Sequence, residues 1–410
     1  MMMRTISLFG LVNLLLLPVA GCSVGTGDGT LSEDDGDTHD DQSTDASPAS
    51  TDSDSDEPSD SGDPLPMVPR PFEDGGYSFL DNGSNADWGY EGVCPALEVY
   101  CNGACLSAPG DESDNCTLMV SKLDELDAIH LNSQYVVYLA ALREVLKTDL
   151  ATFETTGVLS GISFPRAIAL SETTVWAGSG FPGFEGVVSA ALDGSNPTIV
   201  MDNDDDLYFM DVGGGKLFFQ SSGFSQTLYA IPDTGGVPAP AFGENYSFDG
   251  FQVFGDRLYY GTYTNQGRAL MRVPLSTTDI IADQEPLAYA TYLEEFCISE
   301  SHVYLRVRES SSEPYSVLVV DQSTLDATLS EIAGLDSIIA CNDSYAVYRM
   351  KGEDTDDTSE IMLHSATDSI LSVLGTIEKD GFAGAVANDT HVYVGVGEGA
   401  TSGIVRFTLP

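Results

Sequence analysis

A two-residue phrase, an aliphatic side chain followed by an aromatic one, recurs along the C-terminal part of the chain and limits what it can fold into. It stands at Val137-Tyr138, Val175-Trp176, Leu217-Phe218, Leu258-Tyr259, Val303-Tyr304, Val347-Tyr348 and Val392-Tyr393. The numbering spaces successive copies by 38, 42, 41, 45, 44 and 45 residues. Neighbouring residues of a strand point to opposite faces, so a strand carrying this phrase must be covered on both sides. Each copy keeps similar surroundings. A small or apolar strand precedes it, as in Ala167-Ile168-Ala169-Leu170, and a polar, Gly-containing loop follows. A third strand comes next (187–191, 228–231, 270–273, 317–320, 361–364, 404–407), closed by turn residues such as Leu192-Asp193-Gly194.

A period of about 40–45 residues made of short strands and turns predicts an all-β fold, a β-propeller, over residues 117–410. Each blade of a propeller is flanked by two others, which is why its middle strands need apolar side chains on both faces. Seven copies predict seven blades. Leu139, Leu142, Leu146 and Leu150 around the first copy also fit one helix face, which leaves six blades as the alternative. The last copy reaches Pro410 after only three strands. An unpaired edge is a liability, and residues 117–122, with β character, are predicted to supply the closing strand.

Residues 1–21 have the form of a signal peptide: Arg4 is the lone basic residue, and 6–19 form an apolar run too short to span a bilayer. The run ends in Val19-Ala20-Gly21-Cys22, which resembles the lipobox of bacterial lipoproteins. The resemblance implies cleavage before Cys22, acylation of its thiol and, with Ser23 following, residence in the outer membrane or at the cell surface. Beyond Cys22, residues 24–66 are mainly Asp, Ser, Thr, Glu, Gly and Pro, with no Lys or Arg and almost no large apolar side chain. Such a segment buries too little apolar surface to offset ordering and is expected to be a disordered acidic tether. Its coil span is roughly 35 Å. His39 lies within it and needs no role. The whole chain carries 64 acidic and 16 basic residues, a formal charge of −48. That balance argues against nucleic-acid partners, and a monomer is expected.

Cys94, Cys101, Cys105 and Cys116 fall close together in residues 67–116. In an exported chain they are expected to form two disulfides, with three pairings open; the spacing is not that of a zinc finger or ribbon. The run Cys101-Asn102-Gly103-Ala104-Cys105-Leu106 with Asp114-Asn115-Cys116 resembles a small Cys-rich module found beside propellers in secreted bacterial lipoproteins. It lacks that module's Gly-x-Cys-Gly continuation. A stapled collar between tether and propeller is the expectation. Cys297 and Cys341 each lie six residues before a phrase, at equivalent sites on adjacent strands. Equivalent sites point the same way around a ring, so two buried free thiols are expected there.

Signals for catalysis are few. The one G-x-S-x-G-like stretch straddles the lipobox, no H-E-x-x-H occurs, and His302 and His391 sit where hairpin turns are expected. Asp202, Asp204 and Asp206 alternate as Ca²⁺ ligands do but lack the Gly and distal Glu of an EF-hand. No other cofactor is indicated. The position nine residues before each phrase should open the innermost strand at one mouth of the channel. It reads Arg166, Tyr208, Asp249 and Glu294 in blades 2–5 and Ala128, Ile338 and Ala383 in blades 1, 6 and 7, so polar residues are expected on one side of the ring. Phe181, Phe184, Phe224, Tyr246, Phe248, Tyr263, Tyr292 and Tyr315 fall in loops expected on that face. Acids among aromatics suit a cationic or sugar-like ligand. A binding module for a protein, peptide or glycan is therefore the favoured function. The alternative is a polysaccharide hydrolase or lyase with Asp249 and Glu294 as its acid/base pair.

Overall fold

The computed structural model describes residues 94, 98–123, 126–140, 143–162, 165–181, 184–202, 207–221, 228–241, 248–265, 267–277, 280–350, 358–366, 371–378, 382–397 and 402–410. The signal segment, Cys22, the acidic tether and residues 67–93 lie outside them.

Seven antiparallel sheets succeed one another along the chain: blade 1 (126–159), blade 2 (165–202), blade 3 (207–240), blade 4 (248–290), blade 5 (292–331), blade 6 (335–378) and blade 7 (384–408). The fold is a seven-bladed β-propeller. The first copy of the phrase lies on a strand, Tyr135–Ala140, followed by the strand Glu144–Asp149, which resolves the choice between seven and six blades. In each blade the phrase occupies the second strand, and both of its side chains are buried in all seven copies. The two side chains join different clusters. Val175 packs with Val137 and Val158 of blade 1, while Trp176 packs with Leu217 and Phe219 of blade 3. The hydrophobic core is thus a circle of inter-blade layers. Burying each large side chain contributes about 1.5–3 kcal/mol.

The ring closes as expected. The strand Cys116–Leu123 pairs antiparallel with Ser402–Thr408, placing Phe407 opposite Cys116 and Val405 opposite Leu118. A strand from the N-terminal side thereby becomes the fourth strand of blade 7. Its Leu118 and Met119 are fully buried.

The described part of the Cys-rich segment is joined to the propeller. The hairpin of Val99–Cys101 and Ala104–Leu106 extends blade 6, with Cys101 opposite Ile377. Asn102 and Gly103 form its turn with φ of 48° and 80°, which Asn and Gly tolerate best. The disulfides are Cys94–Cys105 and Cys101–Cys116, and the second joins this hairpin to the closing strand. The Asn102 side chain accepts from Thr376 N at 2.8 Å and donates to Asn115 Oδ1 at 2.7 Å. Asn115 Nδ2 in turn donates to Leu374 O at 2.8 Å. These amides satisfy the outer edge of blade 6, which would otherwise be open.

One expectation is overturned. Cys297 and Cys341 form a disulfide between the first strands of blades 5 and 6, with Cα atoms 6.0 Å apart. The reason is a slip of the phrase by one residue. In blades 2, 3, 4, 5 and 7 its aliphatic residue pairs across the first hairpin with the residue five earlier: Val175 with Leu170, Leu217 with Val212, Leu258 with Val253, Val303 with Ile298, Val392 with Ala387. In blades 1 and 6 that place is held by Val136, paired with Leu131, and Ala346, paired with Cys341. The phrase there begins one residue later. Cys297, opposite Tyr304, and Cys341, opposite Ala346, are therefore one register step apart. A single step turns a side chain to the other face of the sheet, so the two sulfurs face each other across the blade 5–6 layer.

Candidate functional site at the channel mouth

The first strands of the blades lie against one another around the axis. Their inner edges have no strand to pair with, and acidic side chains meet part of that need. The Asp211 carboxylate accepts from Val212 N at 2.8 Å and from Val253 N of the next blade at 2.6 Å. Burial pushes the Asp211 carboxyl up to about 6 in spite of these two bonds. Glu295 of blade 5 likewise accepts from Ile338 N of blade 6 at 2.9 Å.

Where the first strands begin, six of the seven blades depart from regular pairing. Pairing jumps from Ala167 to Pro165 past Arg166, from Leu207 to Phe209 past Tyr208, and from Leu293 to Glu295 past Glu294. It also jumps from Phe248 to Phe251 past Asp249 and Gly250, from Leu126 to Ile129 past Asp127 and Ala128, and from Leu335 to Ser337 past Asp336. These are β-bulges, which leave a residue unpaired and re-aim its side chain, and they gather at rims and functional sites. All four polar positions singled out in the sequence are bulge residues. The expected one-sidedness is corrected. In blade 1 the bulge holds Asp127 beside Ala128; in blade 6 the slip, together with a second register shift between Ile338 and Ala340, puts Asp336 in the bulge and Ile338 further along its strand. Polar bulge residues therefore stand in blades 1 to 6.

Blade 5 shows what a bulge carboxylate does. Glu294 Oε2 accepts from Arg306 Nη2 at 2.6 Å and from the Tyr315 hydroxyl at 2.7 Å, and Oε1 accepts from Arg308 Nη2 at 2.8 Å. Arg306 and Arg308 alternate along one strand and so project from the same face. Their guanidinium groups lie 4.0 Å and 4.6 Å from the centre of the Tyr315 ring, and Arg308 also lies 5.1 Å from that of Tyr292. Burial works to raise the Glu294 carboxyl, but Tyr315, Arg306 and Arg308 outweigh it and hold the group below the usual carboxylate range. Blade 6 repeats the arrangement: Asp336 accepts from Arg349 Nε at 2.7 Å, and Arg349 lies 4.8 Å from the centre of the Phe382 ring. Sequence reasoning missed Arg306, Arg308 and Arg349. The signal was present as two arginines two residues apart just after a phrase, in a chain short of cations.

The side chains of Arg166, Tyr208 and Asp249 and of Phe181, Phe184, Phe224, Tyr246 and Phe248 lie outside the described residues, as do Asp204, Asp206 and the side chain of Asp202. The structure thus places the first three by backbone register, and the proposed meeting of Asp249 with Glu294 falls outside what is described. Tyr263 is 56% exposed, beside Arg268 at 4.8 Å. His302 and His391 open the second strands of blades 5 and 7 just after the hairpin turns, and their backbone amides donate back to Ser299 Oγ and Asn388 Oδ1 of those turns. Among the described residues no group of three His, Cys, Asp or Glu side chains is placed to hold a metal.

Two hollows adjoin the ring. One, of ≈ 370 Å³, opens on the axis between blades 1, 5, 6 and 7 and is lined by Ala128, Ile129, His130, Glu295, Ile338 and Ala383 among others. The other, of ≈ 820 Å³, is an open cleft among the hairpin turns of blades 1–3 on the opposite face. Its floor includes the Trp176 indole, whose Nε1 donates to Asp233 O at 3.1 Å.

No protein family matches the chain, and no curated protein does. Solved structures do. The chain is similar to a prolyl endopeptidase at 12% identity with a TM-score of 0.52, over 74% of this chain and 51% of that one. It is similar to the β-propeller domain of the Trilobed protease from Pyrococcus furiosus, described as having an open velcro topology, at 10% identity with a TM-score of 0.51, over 70% and 96%. A third similarity, at 13% identity with a TM-score of 0.50 over 70% and 98%, is to the β-propeller domain of Cps50 (Swd1) from Myceliophteria thermophila. At such identities the likeness concerns fold alone, and it agrees with the blade-by-blade pairing: this chain is a seven-bladed β-propeller.

Proposed function

We propose that the protein is a non-catalytic binding module, held at the cell envelope by a lipid on Cys22, that takes a protein, peptide or glycan at the bulged mouth of its channel. The observation supporting this reading is the set of bulges that, by backbone register, puts a polar residue at the start of the first strand in each of blades 1 to 6, with the carboxylates of Glu294 and Asp336 described there. A rigid ring whose loops vary freely is suited to recognition, although fold by itself does not decide function. The state of Glu294 weighs against the hydrolase or lyase reading. A general acid needs a raised pKa, and Glu294 is held low between two guanidinium groups and a tyrosine. Three disulfides agree with an oxidising compartment, as the lipobox resemblance implies.

Peptide and glycan arrays probed with the full chain test the module. Binding lost on Asp249→Ala or Asp336→Ala and kept on Glu172→Ala, in the cleft of the opposite face, is the expected result. Binding indifferent to both rim substitutions, or release of cleaved product, refutes it. Mass spectrometry of the mature N-terminus checks the anchor, since an unmodified Cys22 rules it out.

A further inference from the structure

The axial cavity has a specific chemistry. Ala128 of blade 1 and Ala383 beside blade 7 are small, and with Ile129 and Ile338 they give an open hollow of ≈ 370 Å³, within the range of small-ligand sites, an apolar strip alongside the polar groups of His130, Glu295 and Ser337. Among the described residues one carboxylate lines the hollow, that of Glu295. Glu295 Oε2 accepts from Ile338 N at 2.9 Å and lies 3.5 Å from Arg306 Nε, while Oε1 has no hydrogen-bond partner among the described residues. Burial raises the Glu295 carboxyl, and the charges of Asp336 and Glu294 push the same way against the Ile338 amide and Arg306. The lining itself has no Lys or Arg among the described residues, and Arg306 reaches Glu295 only on its Oε2 side. His130 on the facing wall does not supply a positive charge, because burial lowers its pKa to about 4 and leaves the ring neutral at neutral pH. Ser337 Oγ, also in the lining, is buried without a partner.

We propose that this cavity takes an aliphatic chain ending in an ammonium group, with methylenes along Ile129, Ile338 and Ala383 and nitrogen at Glu295 Oε1. The source is either a free alkylamine or a lysine side chain of a bound peptide, and only the peptide source rests on the module reading. Long cationic side chains bury apolar stems in this way. A chain of charge −48 concentrates cations near its surface.

Calorimetric titration of the full chain with n-hexylammonium and with 1-hexanol is the test, followed by acetyl-Gly-Lys-Gly-amide against its norleucine counterpart. Hexylammonium or the lysine peptide is expected to bind saturably, about tenfold or more tightly than its uncharged counterpart. Glu295→Gln should weaken binding by a similar factor. Ala383→Leu, which fills the cavity and leaves the carboxylate in place, should abolish it; Ala128→Leu on another wall serves if that variant fails to fold. Binding of the amine alone assigns a free amine, and binding of the lysine peptide assigns a partner's side chain. Saturation by neither cation, equal affinity for the neutral counterparts, or indifference to Glu295→Gln overturns the proposal. A chain that binds hexylammonium but no array ligand upholds the cavity and refutes the module, so the two failures are distinguishable.

Discussion

Replacing both Cys297 and Cys341 by alanine should destabilise the ring by a margin calculable from chain length. The bond joins residues separated by 44 positions. In the chain-entropy treatment, a closed loop of that size restricts the unfolded ensemble by about 13 cal/mol/K, or about 4 kcal/mol at 25 °C. Lost packing adds little, since Cys341 is buried but each thiol is small. For a domain of this size, about 4 kcal/mol corresponds to a fall of roughly 6–8 °C in Tm. Differential scanning calorimetry of the native chain and the double variant, each with and without reductant, provides the measurement. The native chain under reductant is expected to approach the variant, apart from any further loss from Cys94–Cys105 and Cys101–Cys116. Two free thiols recovered from Cys297 and Cys341 by alkylation of the denatured native chain would refute the register argument. A double variant melting with the oxidised native chain would refute the energetic one.

The closing strand offers a second test: Leu118→Ala, at a fully buried position, should cost about 2–5 kcal/mol in urea denaturation, whereas Lys122→Ala, exposed on the same strand, should cost under about 0.5 kcal/mol. Gly375 lies where blades 6 and 7 meet the N-terminal hairpin, and a Cβ there would overlap the Phe407 ring and Asn102 Oδ1. Gly375→Ala is therefore expected to lose about 1–3 kcal/mol by overpacking, read from the same denaturation midpoint. Asp211 gives a pH signature. Its folded value of about 6 stands above the ordinary 3.8, so the folded state binds the extra proton between those limits. Its contribution is favourable at low pH and is lost as pH rises through about 6. Relative to Asp211→Asn, the native chain should gain about 2.4 kcal/mol on going from pH 7 to pH 4; a difference that does not vary with pH would contradict this.

How much could be read in advance differed between blades. The phrase marked the second strand of every blade because covering both faces of a strand demands adjacent apolar residues, a local requirement. The closing strand was legible too, since a three-stranded last repeat needs a fourth strand and residues 117–122 were the β-prone segment available. The mouth was legible only in part. Counting back from the phrase ignored its slip in blades 1 and 6: it found Arg166, Tyr208, Asp249 and Glu294, passed over Asp127 beside Ala128 in the same bulge, and chose Ile338 where the bulge holds Asp336. The same one-residue slip hid the Cys297–Cys341 bond. Register depends on which residues the partner strand offers, and a tyrosine at either neighbouring position satisfies the core equally well. Tyr138 and Tyr348 are as buried as Tyr304 although they face the other way.

The repeat, the number of copies, the strand that closes the ring, the acidic balance and the cysteines available for bonding could all be read from residue type and spacing, which are local to each stretch of chain. Tertiary structure alone decided which cysteines meet, that the bulge acids of blades 5 and 6 are neutralised by arginines of the adjoining strand, and that small residues of blades 1 and 7 leave room beside Glu295. Those outcomes depend on distances between side chains remote in sequence, and such distances are set only when seven sheets pack against one another around a common axis.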